Sequence, residues 1–331
     1  MSKNIRIIDF QKKGFKVSFL YTGKGTQEVL VKLCWRGSTI YRHKFILEEG
    51  SPFTYFSSTG EGEEFVDELE AIFMGVDWEE KHTFHGTESP YVNYSELPRV
   101  KDHPKDCSFP TYCEIFAEKL YENNLASVEK GDVVVDIGAN NGYFALFASL
   151  KGADKILSYE PSKNTFPYLC SNTYAHENIR AFQKAVSAEN GTAYFHEDYE
   201  MYASAGSHLT DDTGNEHVYQ VDTISLKDII LSNNLSKIDY LKIDCEGSEG
   251  QILSSLPSEY FAMINKMCVE THGPELSIQV RQILEENGFD YVIKENFNLV
   301  SGALVRPPLG CGFDIYYAKN LNFPKKNTIT Q

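Results

Sequence analysis

The sequence predicts an α/β fold, a largely parallel sheet flanked by helices, with a smaller β-rich domain in front of it. Three observations carry this. From Gly14 to about Ser57, short β-branched and aromatic runs such as "FKVSFLYTG", "EVLVKLCWRG" and "PFTYFSS" are broken by glycine or proline, the texture of antiparallel strands. From Thr111 apolar strands alternate with helical segments, which implies βαβ units. The strand "VVVDI" runs straight into the turn "GANNG" and a helix, the kind of join at which open α/β sheets take ligands.

Each element follows in order. A helix is expected across "GEEFVDELEAIFMG", residues 62–75, because Phe65, Leu69 and Ile72 share a helical face. Residues 1–78 then form the β-rich domain, and 79–107, rich in His, Pro and Ser without a period, form a linker. Residues 108–320 are the α/β domain and 321–331 a tail. Within it "TYCEIFAEKLYENN" reads as a helix, "GDVVVDIGANNG" as strand and tight turn, "YFALFASLKG" as a helix and "KILSYEP" as a second strand. A helix through "NTFPYLCSNTYAH" precedes the third strand, "IRAFQKAVS". After a polar loop over 201–217, "IDYLKID" and "KMCVETH" are the fourth and fifth strands. "PELSIQVRQILEENG" is a helix, and "DYVIKEN" with "GFDIYYAKN" an antiparallel hairpin at one edge.

Composition narrows the function. Hydrophobic residues are 42% and aromatics 13% of 331, enough for a substantial core. Lysine and arginine number 31 against 47 acids, a balance of −16, which argues against nucleic acid or an anionic membrane as partner. No apolar run approaches a membrane span, and the N-terminus lacks a signal-peptide core. Seven scattered cysteines without a CxxC pair point to a reducing compartment, the cytoplasm by default, and away from zinc.

The chemistry concentrates at strand ends. Gly138 and Gly142 frame the first turn, where glycine permits close ligand approach and the helix supplies oriented amides. The turn lacks the full G-x-G-x-x-G, which weakens a dinucleotide reading, and Asp136 suits a ligand carrying positive charge. Glu160 ends the second strand, where an acid can accept both ribose hydroxyls. The small apolar step in "KAVSAENG" could flank an adenine. Turn, ribose acid and adenine edge together point to S-adenosylmethionine.

The fourth strand runs into three carboxylates in "YLKIDCEGSEG". Asp244 faces the crevice and has three open roles: holding the cofactor's amino group, orienting or deprotonating an acceptor hydroxyl, or binding metal. Glu246 divides evenly between function and structure, and Glu249 reads as a helix-start residue. Glu270 and His272 lie two apart, on one side of the fifth strand. His272 is the best general-base candidate, because an ordinary imidazole titrates near neutrality. Asp244, Glu270 and His272 could together hold a divalent cation. His208, in the polar loop, is a weaker base candidate. Trp35, Tyr41, Phe53 and Tyr55 could stack on sugar rings but read better as core.

The motifs "VVVDIGANNGYFALFA", "SYEPSKNTFPYLCSN", "KAVSAENGTAYFH", "VDTISLKDII", "IDYLKIDCEGSEGQIL" and "CVETHG" resemble those of FkbM-type methyltransferases, over roughly Gly131 to Lys319. The resemblance implies a Rossmann-like class I methyltransferase with a mostly parallel seven-stranded sheet, S-adenosylmethionine as donor, and O-methylation of a hydroxyl on a sugar, glycan or glycosylated metabolite. By position it assigns Asp136, Gly138, Ala139, Asn140 and Gly142 to the cofactor turn, Glu160 with Pro161 to the ribose, and Ala185 with Val186 to the adenine edge. Asn141 and Gly250 depart from the pattern, Gly250 in a way expected to loosen a helix start. Residues 1 to about 100 fall outside the resemblance and are a candidate surface for self-association or acceptor binding. Rival readings are a non-catalytic protein on the same fold and a nicotinamide-dependent oxidoreductase.

Overall fold

A computed structural model describes residues 4–11, 16–35, 38–49, 52–56, 68–85, 98–101, 109–117, 119–197, 207–214, 216–294, 298–300, 303–305 and 313–324. The chain divides into two compact units, Met1–Phe116 and Ala117–Gln331, a boundary beyond the one expected at residue 108.

The first unit holds β1 (Ile5–Gln11), β2 (Lys16–Tyr21), β3 (Thr26–Trp35), β4 (Ser38–Glu48), β5 (Pro52–Phe56), β6 (Glu68–Met74) and β7 (Glu79–His85), then α1 (Phe109–Tyr112) and a π-type turn at Cys113–Ala117. They form antiparallel sheets of order β1-β2-β5 and β4-β3-β6-β7. Two expectations fail here. Residues 68–74 are strand, because Ala71 and Phe73 are buried while Ile72 and Met74 are only half-buried; the period is two, and Ile72 faces away from the core. The expected linker begins with β7, which pairs with β6 along its length. Phe73 packs edge-on against Phe19, ring centroids 4.7 Å apart. The side chains of Trp35, Tyr41, Phe53 and Tyr55 lie outside the described residues.

The second unit contains β8 (Val133–Ile137), α2 (Tyr143–Leu150), β9 (Lys155–Tyr159), α3 (Phe166–Thr173), β10 (Ile179–Phe182), β11 (Ala185–Ser187), β12 (Gly191–His196), β13 (His208–Leu209) and β14 (Val218–Ser225). It continues with α4 (Leu226–Ser232), β15 (Ile238–Ile243), α5 (Glu249–Ser254), α6 (Ser258–Phe261), β16 (Ile264–His272), α7 (Pro274–Glu286), β17 (Phe289–Lys294), β18 (Asn298–Val300), β19 (Ala303–Val305) and β20 (Phe313–Asn320). Seven strands make a mixed sheet of order β10-β9-β8-β15-β16-β20-β17. β20 alone runs against the others, inserted between β16 and β17. The apolar runs "VVVDI", "KILSY" and "IDYLKI" make this sheet's buried strands, packed with Ile229, Ile252 and Val280 of the helices.

Two elements differ from the sequence reading. The third strand splits: β10 joins the main sheet, and β11 pairs in parallel with β14 in a second sheet, β11-β14-β12-β13. The helix expected over 111–124 ends early. Lys119 has φ 54, in the left-handed region, and Asn123 Oδ1 accepts the N–H groups of Leu125 and Ala126 at 2.8 and 2.9 Å, a side-chain turn that competes with helix.

Gly250 tightens the fold rather than loosening it. A Cβ there would sit 2.1 Å from Gln279 Oε1 and 3.1 Å from Leu276 Cδ2, so its absence lets α5 lie close on α7. Gly250→Ala is expected to cost about 1 kcal/mol in chemical denaturation, the scale of mild overpacking. Adding Gln279→Ala, which removes the obstructing side-chain end, should recover most of it.

Candidate functional site

The order of the main sheet reverses between β8 and β15, and ligands of open α/β sheets bind beyond the carboxyl ends of strands at that point. The turn after β8 is held against the chain itself. Gly138 has φ 74, and a Cβ on it would fall 1.7 Å from the Asp244 carbonyl oxygen. Gly142 has φ 83 and would meet Leu169 Cδ1 at 2.6 Å. Both glycines are therefore required by protein packing, a role that the sequence reading did not assign them. Asn140, at φ 48, and Ser162 aim their N–H groups at the Glu160 carboxylate, each at 2.9 Å, so the turn clasps the end of β9.

Lys242 organises the centre. It is fully buried in β15, level with Asp136 of β8. Its Nζ donates to the Gly138 carbonyl at 2.7 Å and lies 3.3 Å from Asp244 Oδ2 and 3.6 Å from Asp136 Oδ1. Burial opposes its charge, but Asp244 and Asp136 raise its pKa above the ordinary lysine value, so it stays an ammonium. Asp136 has no exposed surface, and burial pushes its pKa up despite Lys242. Direct contact between Asp136 and a cofactor is thus corrected: the carboxylate faces Lys242 and Ser158, whose Oγ is 3.3 Å from Oδ2.

His272 sits among three carboxylates. Nδ1 is 2.9 Å from Glu249 Oε1, and Nε2 is 3.3 Å from Glu246 Oε2 and 3.7 Å from Asp244 Oδ1. Burial favours the neutral ring, yet the bonds to Glu246 and Glu249 win and raise its pKa to about 11. At neutral pH it is an imidazolium and cannot accept a proton, which corrects its reading as general base. Glu249 is fully buried and does more than start α5: its Oε1 also accepts the N–H of Gly247 at 3.0 Å and of Cys245 at 3.2 Å. Burial pushes its pKa up, but His272 holds it below the ordinary value. Glu246, a non-glycine residue at φ 58, keeps a pKa raised by burial although His272 opposes the shift.

Glu270 meets a different partner. The Tyr121 hydroxyl lies 2.9 Å from Asp244 Oδ2 and 3.0 Å from Glu270 Oε2, bridging the two acids. Burial and then the charge of Asp244 raise Glu270 to about 8. Burial works against the Asp244 charge too, but Lys242 and His272 hold its pKa below the ordinary value. The sequence reading missed both Tyr121 and Lys242. Lys242 had a signal, a lysine inside an otherwise apolar strand. Tyr121 had none, since it sits where a helix was expected.

Against known proteins, residues 136–291 match the family described as "Methyltransferase FkbM domain". The chain carries an FkbM methyltransferase domain. Among its relatives, "Methyltransferase sdnD" of Sordaria araneosa is 28% identical over 54% of this chain and 81% of its own length. "31-O-demethyl-FK506 methyltransferase FkbM" of Streptomyces tacrolimicus is 29% identical over 56% of this chain and 83% of its own. "Hexuronic acid methyltransferase AglP" of Haloferax volcanii is 26% identical over 49% of this chain and 65% of its own. The FkbM domain is that of an S-adenosylmethionine-dependent methyltransferase with a Rossmann-like class I fold. No helix among the described residues is long and apolar enough to cross a membrane.

The remaining expected residues of the FkbM domain are placed as follows. Ala139 is buried, its N–H donating to the Tyr159 carbonyl at 3.0 Å, and Pro161 is half-buried beside Glu160. Ala185 and Val186 spend their side chains on core packing, Ala185 with Phe195 and Val221, Val186 in the main core. His208 lies in β13 with its ring 5.3 Å from that of His196. A divalent cation fits this domain poorly. Ligand atoms of Asp244, Glu246 and His272 lie within 4.8 Å of one another, but Glu270 is not in that group. A cation there would have to displace the proton that Glu246 and Glu249 hold on His272. The imidazolium already supplies the positive charge this corner needs.

Proposed function

We propose that this methyltransferase transfers its methyl group to a neutral hydroxyl of a sugar, glycan or glycosylated metabolite. The observation behind this reading is the charge of the crevice. Asp244 and Glu246 stand at its rim, where negative charge welcomes a cationic cofactor and repels an anionic acceptor. AglP is named for a hexuronic acid, which offers both hydroxyls and a carboxylate. The acids of this site favour the hydroxyls.

S-adenosylmethionine would supply a methyl group activated by positive sulfur. Glu160 is the residue for the ribose: 7% exposed, braced by two backbone N–H groups, with lone pairs remaining for hydroxyl donors. Burial raises it to about 7, a penalty that hydrogen bonds from a diol would offset. Asp244, kept ionised by Lys242 and His272, orients the acceptor hydroxyl and accepts its hydrogen bond. Ala185 and Val186 border the adenine through their backbone.

The test is transfer of labelled methyl from S-adenosylmethionine to a panel of neutral saccharides, uronic acids and glycolipids. Product on neutral sugar hydroxyls is expected. Methyl esters of uronic acids alone would overturn the hydroxyl reading. In calorimetry Glu160→Gln should weaken S-adenosylhomocysteine binding about tenfold, the loss of one good charge-assisted hydrogen bond.

A further inference from the structure

Tyr121 brings one hydroxyl hydrogen to two carboxyl groups. Its Oη is 2.9 Å from Asp244 Oδ2 and 3.0 Å from Glu270 Oε2, both hydrogen-bonding distances. A hydroxyl donates once, so two ionised carboxylates would leave one of these contacts as lone pair against lone pair. The second contact becomes a hydrogen bond when one acid carries a proton and donates it to Oη. We infer that Asp244, Tyr121 and Glu270 are a proton-sharing unit, in which Tyr121 relays the proton lost by the acceptor from Asp244 to Glu270.

The relay balances. At rest Glu270 carries the shared proton and gives it up to solvent when the positive charge of the cofactor binds. The proton the acceptor then leaves on Asp244 Oδ2 passes to Tyr121 Oη as Tyr121 releases its own hydrogen to the emptied Glu270 Oε2. Asp244 is a carboxylate again, Tyr121 is unchanged, and Glu270 has become a carboxylic acid. The surroundings set this direction. Lys242 and His272 face Asp244 and oppose its protonation. Glu270 is pushed the other way, by burial and by the nearby negative charge of Asp244, to a pKa of about 8. Cys268, on the same strand, and Tyr317 of β20 also face Glu270, and Asp136 of β8 adds a negative neighbour to Asp244. A base poised near working pH is the efficient place for such a proton.

Tyr121 is built to hold its position. Its ring is buried, packs edge-on against Phe144 with centroids 5.6 Å apart, and lies 5.1 Å from the Lys242 ammonium. Its backbone carbonyl accepts the Tyr240 hydroxyl. Tyr121 and Glu270 are therefore positioning and proton-holding residues of the methyltransferase site, and this inference rests on that assignment.

The experiment needs no acceptor. Infrared difference spectra of the full chain between pH 6 and pH 10 should contain a carboxylic-acid carbonyl band that Glu270→Gln removes. Tyr121→Phe should keep that band and shift it to higher frequency, because the acid loses its hydrogen-bond acceptor. Calorimetry at pH 7 in two buffers of different ionisation enthalpy supplies the second readout. Wild type should release more protons, approaching one, on binding S-adenosylmethionine than on binding the uncharged-sulfur S-adenosylhomocysteine, and Glu270→Gln should abolish the difference while binding both. Difference spectra in which Glu270→Gln removes no acid band, or in which the band that it removes has equal frequency in Tyr121→Phe, would overturn the shared proton. A proton count identical for the two ligands in wild type would do the same. Binding of neither ligand would instead defeat the cofactor assignment.

Discussion

Lys242→Met is expected to destabilise the protein by about 3–5 kcal/mol at pH 8, the cost of stripping one partner from a buried ion pair. Lys242 and Asp136 are both fully buried, and the ammonium also serves Asp244 and the Gly138 carbonyl. Methionine fills the volume but answers none of these charges. The pH dependence gives a second check. Burial already raises Asp136 above its unfolded value, and losing Lys242 raises it further. A carboxyl raised on folding binds its proton more tightly in the folded state, so its contribution is present at low pH and lost as pH rises through the folded pKa. The variant should therefore be closer to wild type at pH 5.5 than at pH 8, and Asp136→Asn added to it should recover part of the loss. Wild-type stability for Lys242→Met in urea denaturation would refute the account.

His272→Gln carries the second large effect. Three carboxylates lift the imidazole to about 11 from an unfolded value near 6.5. A histidine raised on folding stabilises fully below the unfolded pKa, and the contribution drains away as pH climbs toward the folded one. Between pH 7 and pH 10 it should make wild-type stability fall by up to about 1.4 kcal/mol per pH unit. Glutamine keeps hydrogen bonding at that place but cannot titrate. The variant should be several kcal/mol less stable at pH 7 and should show a shallower decline, the two curves converging near pH 11. Parallel curves would show that His272 is neutral in the folded protein and would return it to candidacy as a base.

Much of this site was legible before any coordinates. A buried strand that ends in acid must use or pair that acid, and Asp136, Glu160, Asp244 and His272 were all found from strand ends. What the sequence hid is which groups face one another. Asp136 looked like a ligand because Lys242, its partner across the sheet, lies 106 positions away. His272 looked like a base because an ordinary imidazole is one; only the convergence of Glu246, Glu249 and Asp244 upon it reverses that. Tyr121 arrives from a segment whose helical pattern is overridden by a left-handed Lys119 and the Asn123 turn. In the front unit, "ELEAIFM" fits both a helix and a strand over so short a run, and pairing with β3 and β7 decides it.

The single reversed strand has a consequence for how the protein is made. β17 meets the main sheet only through β20, which enters between it and β16. While the chain is being synthesised, every residue of the proton-sharing unit and the His272 cluster emerges before β20 does. Until Phe313–Asn320 has left the ribosome, β16, the strand bearing Glu270 and His272, is an open sheet edge, able to pair with another chain. The nascent methyltransferase is thus most vulnerable to aggregation after its chemistry has been spelled out and before its sheet is closed. A lesion late in the message would leave the side chains of this cluster intact and the strand that carries two of them unsupported.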